Sequence, residues 1–330
     1  MMPSIFPARL RTFARRSLSV GLAGIVVSLM ITKGTLASDE VRIGYQKSST
    51  LISILKANNE LEKALAPLGV RISWHEFSSG LPLLEAVNVG SIDVSGDVAD
   101  TVPIFAQAAG AQIAYYAEET PSPSAQAILV DKASPIKTVA DLKGKRVAVT
   151  KGAGSHYLLL AALSKAGVPF DQITPAYLAP ADGRSAFVGK SVDAWVAWDP
   201  YLTAAVASLD ARVLADGSNG LASYKRYYLA SAGFANRRRD VLNIIFDKLG
   251  ETGKWVKSHP EEAARILAEL WKIEAPVVIK SIGHRSYQVQ SVTPAGLAEQ
   301  QHIADTFFAE KLLPKKIDAS LLKIWTPHGS

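Results

Sequence analysis

Apolar positions along this chain keep switching between a period of two and a period near 3.6. Val41-Arg42-Ile43-Gly44-Tyr45 alternates as a half-buried strand does, then breaks into polar Gln46-Lys47-Ser48-Ser49, which opens a helix predicted to run through Leu65. Val70 to Trp74 is the next predicted strand, Leu81 to Val87 a helix, Ser91 to Val94 a short strand, and Ile104, Phe105 and Ala108 share a helical face before the strand Ile113 to Tyr116. A second series begins near Ala127. It has strands at 128–130, 146–149, 177–178 and 194–197, a helical turn at 139–142 closed by Gly144, and helices at 156–166, 182–188 and 202–207. From Ala235 onward the pattern is helical. Asp240 to His259 is amphipathic, Pro260-Glu261-Glu262 opens another helix with proline in its first turn and acids at its positive dipole end, and Gln300 to Lys311 forms a third. Alternating strands and helices predict an α/β fold with parallel strands and helices on both faces.

The first 37 residues change how the composition reads. Arg9, Arg11, Arg15 and Arg16 precede an apolar run from Ser17 to Ile31, and Thr35-Leu36-Ala37 places small residues where a signal peptidase cuts, so residues 1–37 are expected to be a signal peptide removed on export to the periplasm. The alternative is a retained anchor, but the run is short for a span of about 20 residues. Arg15-Arg16 hints at twin-arginine export, and the general route is the preferred expectation. The whole chain carries 36 basic and 30 acidic residues, a formal charge of +6. Five of those basic residues and none of the acids precede Ser38, which leaves 31 basic against 30 acidic residues in the remainder. A charge of +1 gives no support for nucleic-acid binding. The chain has no cysteine, which excludes disulfides, thiolate metal sites, a cysteine nucleophile and a lipidated cysteine tether. At 330 residues the chain is long enough for two domains that bury sufficient apolar surface without disulfides, and a monomer is expected.

Several strand-to-helix turns are rich in small and polar residues: Gln46-Lys47-Ser48-Ser49, Ser78-Ser79-Gly80 and Gly152-Ala153-Gly154-Ser155-His156. Helix starts of this kind present free N–H groups and a positive dipole end, which suits an anion. The 152–156 turn lacks the Gly-Lys-Ser/Thr ending of a nucleotide phosphate loop. Trp195 and Trp198 have opposite parity on one strand, and Trp198, nearer the strand end, is the candidate for an apolar wall over a ligand. The six histidines show no metal spacing, Ser155-His156 is no recognisable nucleophile–base pair, and nothing marks Asp193 or Asp199 as a catalytic acid. No enzyme activity, cofactor or metal is expected.

Four stretches carry a family resemblance: Val41 to Lys47, Ile104 to Gly110, Ser134 to Gly144, and Asp193 to Tyr201. Together they resemble the aliphatic sulfonate-binding proteins of the sulfonate, nitrate and taurine group, over nearly all of the chain from Val41 to Trp325. The resemblance implies a two-lobed periplasmic binding protein fold (type II-like), each lobe a mixed, mostly parallel sheet flanked by helices, with the ligand cleft between lobes. Residues 38–127 plus 233–330 are expected to form lobe 1 and 128–232 lobe 2, with crossings near Ala127-Ile128 and Ala230-Ser231-Ala232. It also implies capture of an alkanesulfonate by hinge closure and delivery to the transmembrane permease of an ABC importer. Taurine, nitrate or another small organic anion is the alternative ligand. Thiamin-pyrimidine synthases share the fold but resemble a cysteine-rich pattern that is absent here. Carried over by position, the implied ligand contacts are Gln46, Ser79, Gly80, Asp100, Ser155, His156, Trp198 and Arg285. The family's Gly-Asp before two prolines is altered here to Ala99-Asp100, and Asp97, after Gly96, is the rival to Asp100.

Overall fold

The structure, a computed structural model, describes residues 39–329. The expected signal peptide and its cleavage site lie outside the described residues. The first series of elements is β1 (Glu40–Gln46), α1 (Thr50–Ala57), α2 (Glu60–Leu65), β2 (Arg71–Phe77), α3 (Gly80–Asn88), β3 (Val94–Ser95), β4 (Val98–Ala99), α4 (Val102–Ala108) and β5 (Ile113–Glu119). The second is β6 (Gln126–Asp131), β7 (Arg146–Val149), α5 (Gly154–Lys165), β8 (Thr174–Tyr177), α6 (Pro180–Val188), β9 (Ala194–Trp198), α7 (Tyr201–Ser208) and β10 (Ala211–Asp216). The last is β11 (Arg226–Ser231), α8 (Ala232–Arg237), α9 (Arg239–Ser258), α10 (Pro260–Trp271), α11 (Ala275–His284), β12 (Val289–Gln290), α12 (Ala298–Ala309) and β13 (Lys323–Ile324).

These strands form two sheets. The first has the order β12-β5-β11-β3-β1-β2, with β13 beside β5 and β4 beside β11, and the second has the order β10-β6-β9-β7-β8. β1 runs parallel to β2, from Glu40 opposite Arg71 to Gln46 opposite Phe77, so the turns that follow both strands open at one sheet edge. β7 is likewise parallel to β8 and β9. The β5–β11, β6–β9 and β6–β10 ladders are antiparallel, so the sheets are mixed rather than mostly parallel. The reason is topological. β5 and β6 carry the chain out of the first sheet into the second, β10 and β11 bring it back, and strands that leave and return side by side must oppose each other.

The crossings therefore occupy residues 120–125 and 217–225. The first lies beside the expected Ala127-Ile128. The second falls ahead of the expected Ala230-Ser231-Ala232, because Arg226–Ser231 is itself a central strand of the first sheet. The C-terminal stretch departs further from expectation. Ile303, Ala304 and Phe307 of α12 pack with Ile128, Val147 and Leu159 under the second sheet.

Local chemistry explains the element boundaries. The helix predicted through Leu65 breaks at Asn58-Asn59, where Asn59 takes a left-handed backbone conformation (φ 54°) that asparagine tolerates better than most residues. α9 buries Val241, Leu242, Ile245, Leu249 and Val256 at helical spacing, each contributing roughly 1.5–3 kcal/mol by burial. α10 starts at Pro260 with Glu261 and Glu262 in its first turn, and buries Ala263, Ala264, Leu267 and Trp271. Gly44 lets α3 lie directly on β1, because a Cβ there would sit 2.2 Å from Cδ1 of Leu83. A separate cluster draws on both sheets: Val98, Ala99 and Val102 of the first half pack with Ala153 and Trp198 of the second and with Tyr224 of the return crossing. No helix among the described residues is long and apolar enough to cross a membrane.

Candidate functional site

The shared cluster marks where the halves meet, and three helices begin around it. α1, α3 and α5 start with Ser49, Ser79 and Ala153 as their N-cap residues, and none of these side chains caps its own helix. Gly80 at the start of α3 touches α4, where a Cβ would lie 2.8 Å from Val102. The turn before α5 meets the first half in three places. Thr101 Oγ1 donates to the Gly152 carbonyl at 2.7 Å. A Cβ on Gly152 would lie 2.8 Å from Leu81. A Cβ on Gly154 would lie 2.5 Å from the Tyr224 ring and 3.1 Å from Cβ of Ala99. The second helix residue of α5, Ser155, is fully buried with its hydroxyl unpartnered.

Beside this meeting point lies a buried charged cluster. Arg285 Nη2 donates to Glu119 at 2.6 Å and to Asp97 at 3.1 Å, and Nη1 donates to the Ser48 carbonyl at 2.9 Å. Arg226 Nε stands 3.2 Å from the same Asp97 oxygen, and its guanidinium lies 4.9 Å over the Tyr224 ring. Tyr228 donates to Glu119 at 2.7 Å. Burial works against the Arg285 charge, but Glu119 and Asp97 outweigh it and hold its pKa well above the ordinary guanidinium value. Two arginines and two carboxylates compensate one another. Even so, Ser48 Oγ, Asp97 Oδ1, Glu119 Oε2 and Arg285 Nε are buried without a hydrogen-bond partner. Unpaired polar atoms at such depth are costly unless something else engages them.

The residues expected to contact ligand fall into two groups. Gln46, Ser79, Gly80, Ser155, Trp198 and Arg285 are all buried around this region. Gln46 donates to the Asp97 carbonyl at 3.0 Å. Trp198 stands edge-on to Tyr201, with ring centres 6.4 Å apart. Asp100 and His156 are placed otherwise. Both Asp100 oxygens accept backbone N–H groups, from Thr101 at 3.0 Å and Lys225 at 3.1 Å, so this carboxylate secures the return crossing. Burial, with Glu299 nearby, pushes its pKa up to about 7. Asp97, the rival position, is the aspartate that sits with Gln46 and Arg285. The His156 ring is enclosed by Phe170, Tyr177 and Phe307, and its Nδ1 accepts the Gly152 N–H at 3.2 Å. Burial, with Lys151 adding to it, lowers its pKa to about 3, so the ring is neutral, and its Nε2 is buried without a hydrogen-bond partner. The sequence reading passed over Glu119, Tyr224 and Arg226. Glu119 ends an apolar strand, Arg226 opens an unpredicted one and Tyr224 lies in the crossing just before it, so only their mutual placement marks them.

The described residues contain no cluster of three or more potential metal ligands. Residues 76–263 match the family described as NMT1/THI5 like. The chain is 42% identical over 315 residues to an aliphatic sulfonates-binding protein of Escherichia coli, covering 95% of this chain and 97% of that one. A Bacillus subtilis protein of the same name is 30% identical and covers 84% of each chain. Among solved structures, the alkanesulfonate-binding protein SsuA of Xanthomonas axonopodis pv. citri bound to MOPS superposes with a TM-score of 0.82 at 37% identity, over 87% of this chain and 98% of that one. The periplasmic aliphatic sulphonate binding protein SsuA of E. coli gives 0.78 at 42% identity, over 87% and 97%. The chain belongs to the NMT1/THI5-like family and to the same family as these aliphatic sulfonate-binding proteins.

Proposed function

We propose that this chain is the periplasmic solute-binding protein of an ABC importer and captures aliphatic sulfonates between its two halves, delivering them to a membrane permease by hinge closure. It binds rather than transforms its ligand, as its substrate-binding relatives do. The carrying observation is the convergence of uncapped helix starts from both halves, α1 and α3 from the first and α5 from the second, beside the apolar face of Trp198. Helix N-termini suit the sulfonate oxygens and the indole suits an alkyl chain. In this reading the two lobes follow the two sheets and turn about residues 120–125 and 217–225. The ligand contacts are Gln46, Ser79, Gly80, Ser155 and Trp198, with Arg285 setting the charge of the site from behind.

The test is a thermal-shift screen of the purified protein against alkanesulfonates, taurine, sulfate, nitrate and a cationic control. A ligand at 100 times its Kd stabilises the fold by about 2.7 kcal/mol. A shift with alkanesulfonates that fades for sulfate supports the reading, and no shift with any anion removes it. Asp97 and Glu119 each keep one unpartnered buried oxygen, which favours taurine as the second reading because its ammonium group needs such acceptors. A larger shift with taurine than with ethanesulfonate would select it.

A further inference from the structure

A histidine–carboxylate hydrogen bond beside the first crossing joins the two halves and has no part in the ligand contacts above. His284 ends α11, whose Val278 and Ile282 belong to the core of the first half. Asp199 follows β9, whose Trp195 and Ala197 belong to a separate core under the second sheet. Nδ1 of His284 lies 2.7 Å from Oδ2 of Asp199. The Asp199 side chain is buried and that of His284 is about one-third exposed, at 3% and 36%. Both ends are tied to the first crossing. The Asp199 N–H donates to the Ala125 carbonyl at 3.0 Å. Ser286, two residues beyond His284, is tied there as well: its N–H donates to Ser122 Oγ at 3.0 Å and its hydroxyl to the Thr120 carbonyl at 2.9 Å. The other Asp199 oxygen accepts the Thr203 N–H at 3.0 Å and the Thr203 hydroxyl, which fixes the first turn of α7. Asp199 also directly follows Trp198.

We propose that the His284–Asp199 pair is a hinge clasp: it holds the two halves in the closed arrangement and positions Trp198 over the ligand, so that protonated His284 strengthens retention of a bound anion. The proposal rests on the reading of the chain as a sulfonate-binding protein that closes by a hinge. A hydrogen bond of 2.7 Å is lost beyond about 3.5 Å, so a relative displacement of about 1 Å at the crossing breaks the pair. His284 and Asp199 are therefore positioning residues that act through closure.

The charge environment gives the clasp a direction. The hydrogen bond that His284 donates to Asp199 and the charge of that carboxylate, with a smaller pull from Asp216 at the end of β10, push the His284 pKa above its ordinary value against the opposing effect of burial. The neighbouring cations are engaged or exposed. Arg285 points into Asp97 and Glu119, Lys257 donates to the Arg285 carbonyl, and Lys280 is exposed on α11. The crossing residues Thr120 and Ser122 are uncharged, and the Tyr287 hydroxyl pairs with Thr50. Because closure raises the affinity of His284 for its proton, the contribution is complete below the ordinary imidazole value near 6.5 and is lost as pH rises through the raised one.

Hexanesulfonate titrated calorimetrically at fixed salt into wild type, His284→Gln and Asp199→Asn between pH 5.5 and 8.5 tests the clasp, together with an NMR titration of the imidazoles in hexanesulfonate-saturated wild type and Asp199→Asn. Glutamine keeps a donor without titrating, and asparagine keeps the acceptor for Thr203. Wild type is expected to bind roughly three- to tenfold more tightly at pH 5.5 than at 8.5, with both variants flat near the alkaline wild-type value. His284 is expected to titrate higher in wild type than in Asp199→Asn. A pH profile unchanged by His284→Gln, or equal His284 titration in the two proteins, overturns the clasp. Failure of wild type to bind any sulfonate at any pH overturns the functional reading, and the retention role of the clasp falls with it.

Discussion

Replacing Gly154 with alanine puts a methyl group where the two halves touch. The new Cβ would lie 2.5 and 2.7 Å from two carbons of the Tyr224 ring and 3.1 Å from Cβ of Ala99. Carbon atoms rest at about 3.5–4.0 Å, so relief requires about 1 Å of separation. The Tyr224 ring cannot easily turn aside, because it is buried and lies against the Arg226 guanidinium. Overpacking of this size costs about 1–3 kcal/mol in a fixed core. Here the strain disappears when the halves move apart, so it falls on closure rather than on folding. The expected result is a Kd for hexanesulfonate weakened by roughly 5- to 150-fold, with the melting temperature of the ligand-free protein nearly unchanged. Calorimetric titration and thermal melting of the same preparations read both quantities. An affinity within twofold of wild type would show that Gly154 is no closure contact, as would a fall in unliganded melting temperature large enough to account for the weaker binding.

Trp198→Ala should weaken octanesulfonate at least tenfold more than ethanesulfonate, because each methylene that leaves the indole forfeits up to about 0.8 kcal/mol; equal losses in a competition assay would exclude a wall role. Arg285→Ala leaves Asp97 and Glu119 buried without their shared cation, so urea denaturation should show a loss of about 3–5 kcal/mol in stability. Asp100→Asn tests the raised carboxyl. A folded-state pKa near 7, above the unfolded value, stabilises the protein at low pH and loses that contribution as pH rises from about 4 through 7. From pH 5 to pH 8 the variant should therefore gain roughly 2 kcal/mol on wild type in urea midpoints, and parallel profiles would show that Asp100 stays ionised throughout.

Strands with clear alternation and helices with strong apolar stripes were legible before the structure, as β1, α9 and α10 illustrate. β10 and β11 were not. Tyr227-Tyr228-Leu229-Ala230 is an apolar run with no period, and such a run does not reveal which sheet it enters. That single strand moves the return crossing and brings three antiparallel pairings into the first sheet. The candidate site divides in the same way. Glycine- and serine-rich turns announced the helix starts, since that chemistry is local. The pairing of Arg285 with Asp97 and Glu119 joins residues 188 and 166 positions apart, which no local pattern encodes. The aromatic enclosure of His156 by Phe170, Tyr177 and Phe307 was equally hidden, since those rings come from distant parts of the sequence.

In the proposed function an anionic head group and an alkyl chain are held together between the halves. Calorimetric titration of the purified protein with a series from ethane- to octanesulfonate, with sulfate as the chain-free control, tests it most directly. Saturable one-to-one binding that tightens with chain length and is weak or absent for sulfate is the expected result. Binding of sulfate as tight as that of octanesulfonate, or no binding across the series, would contradict it.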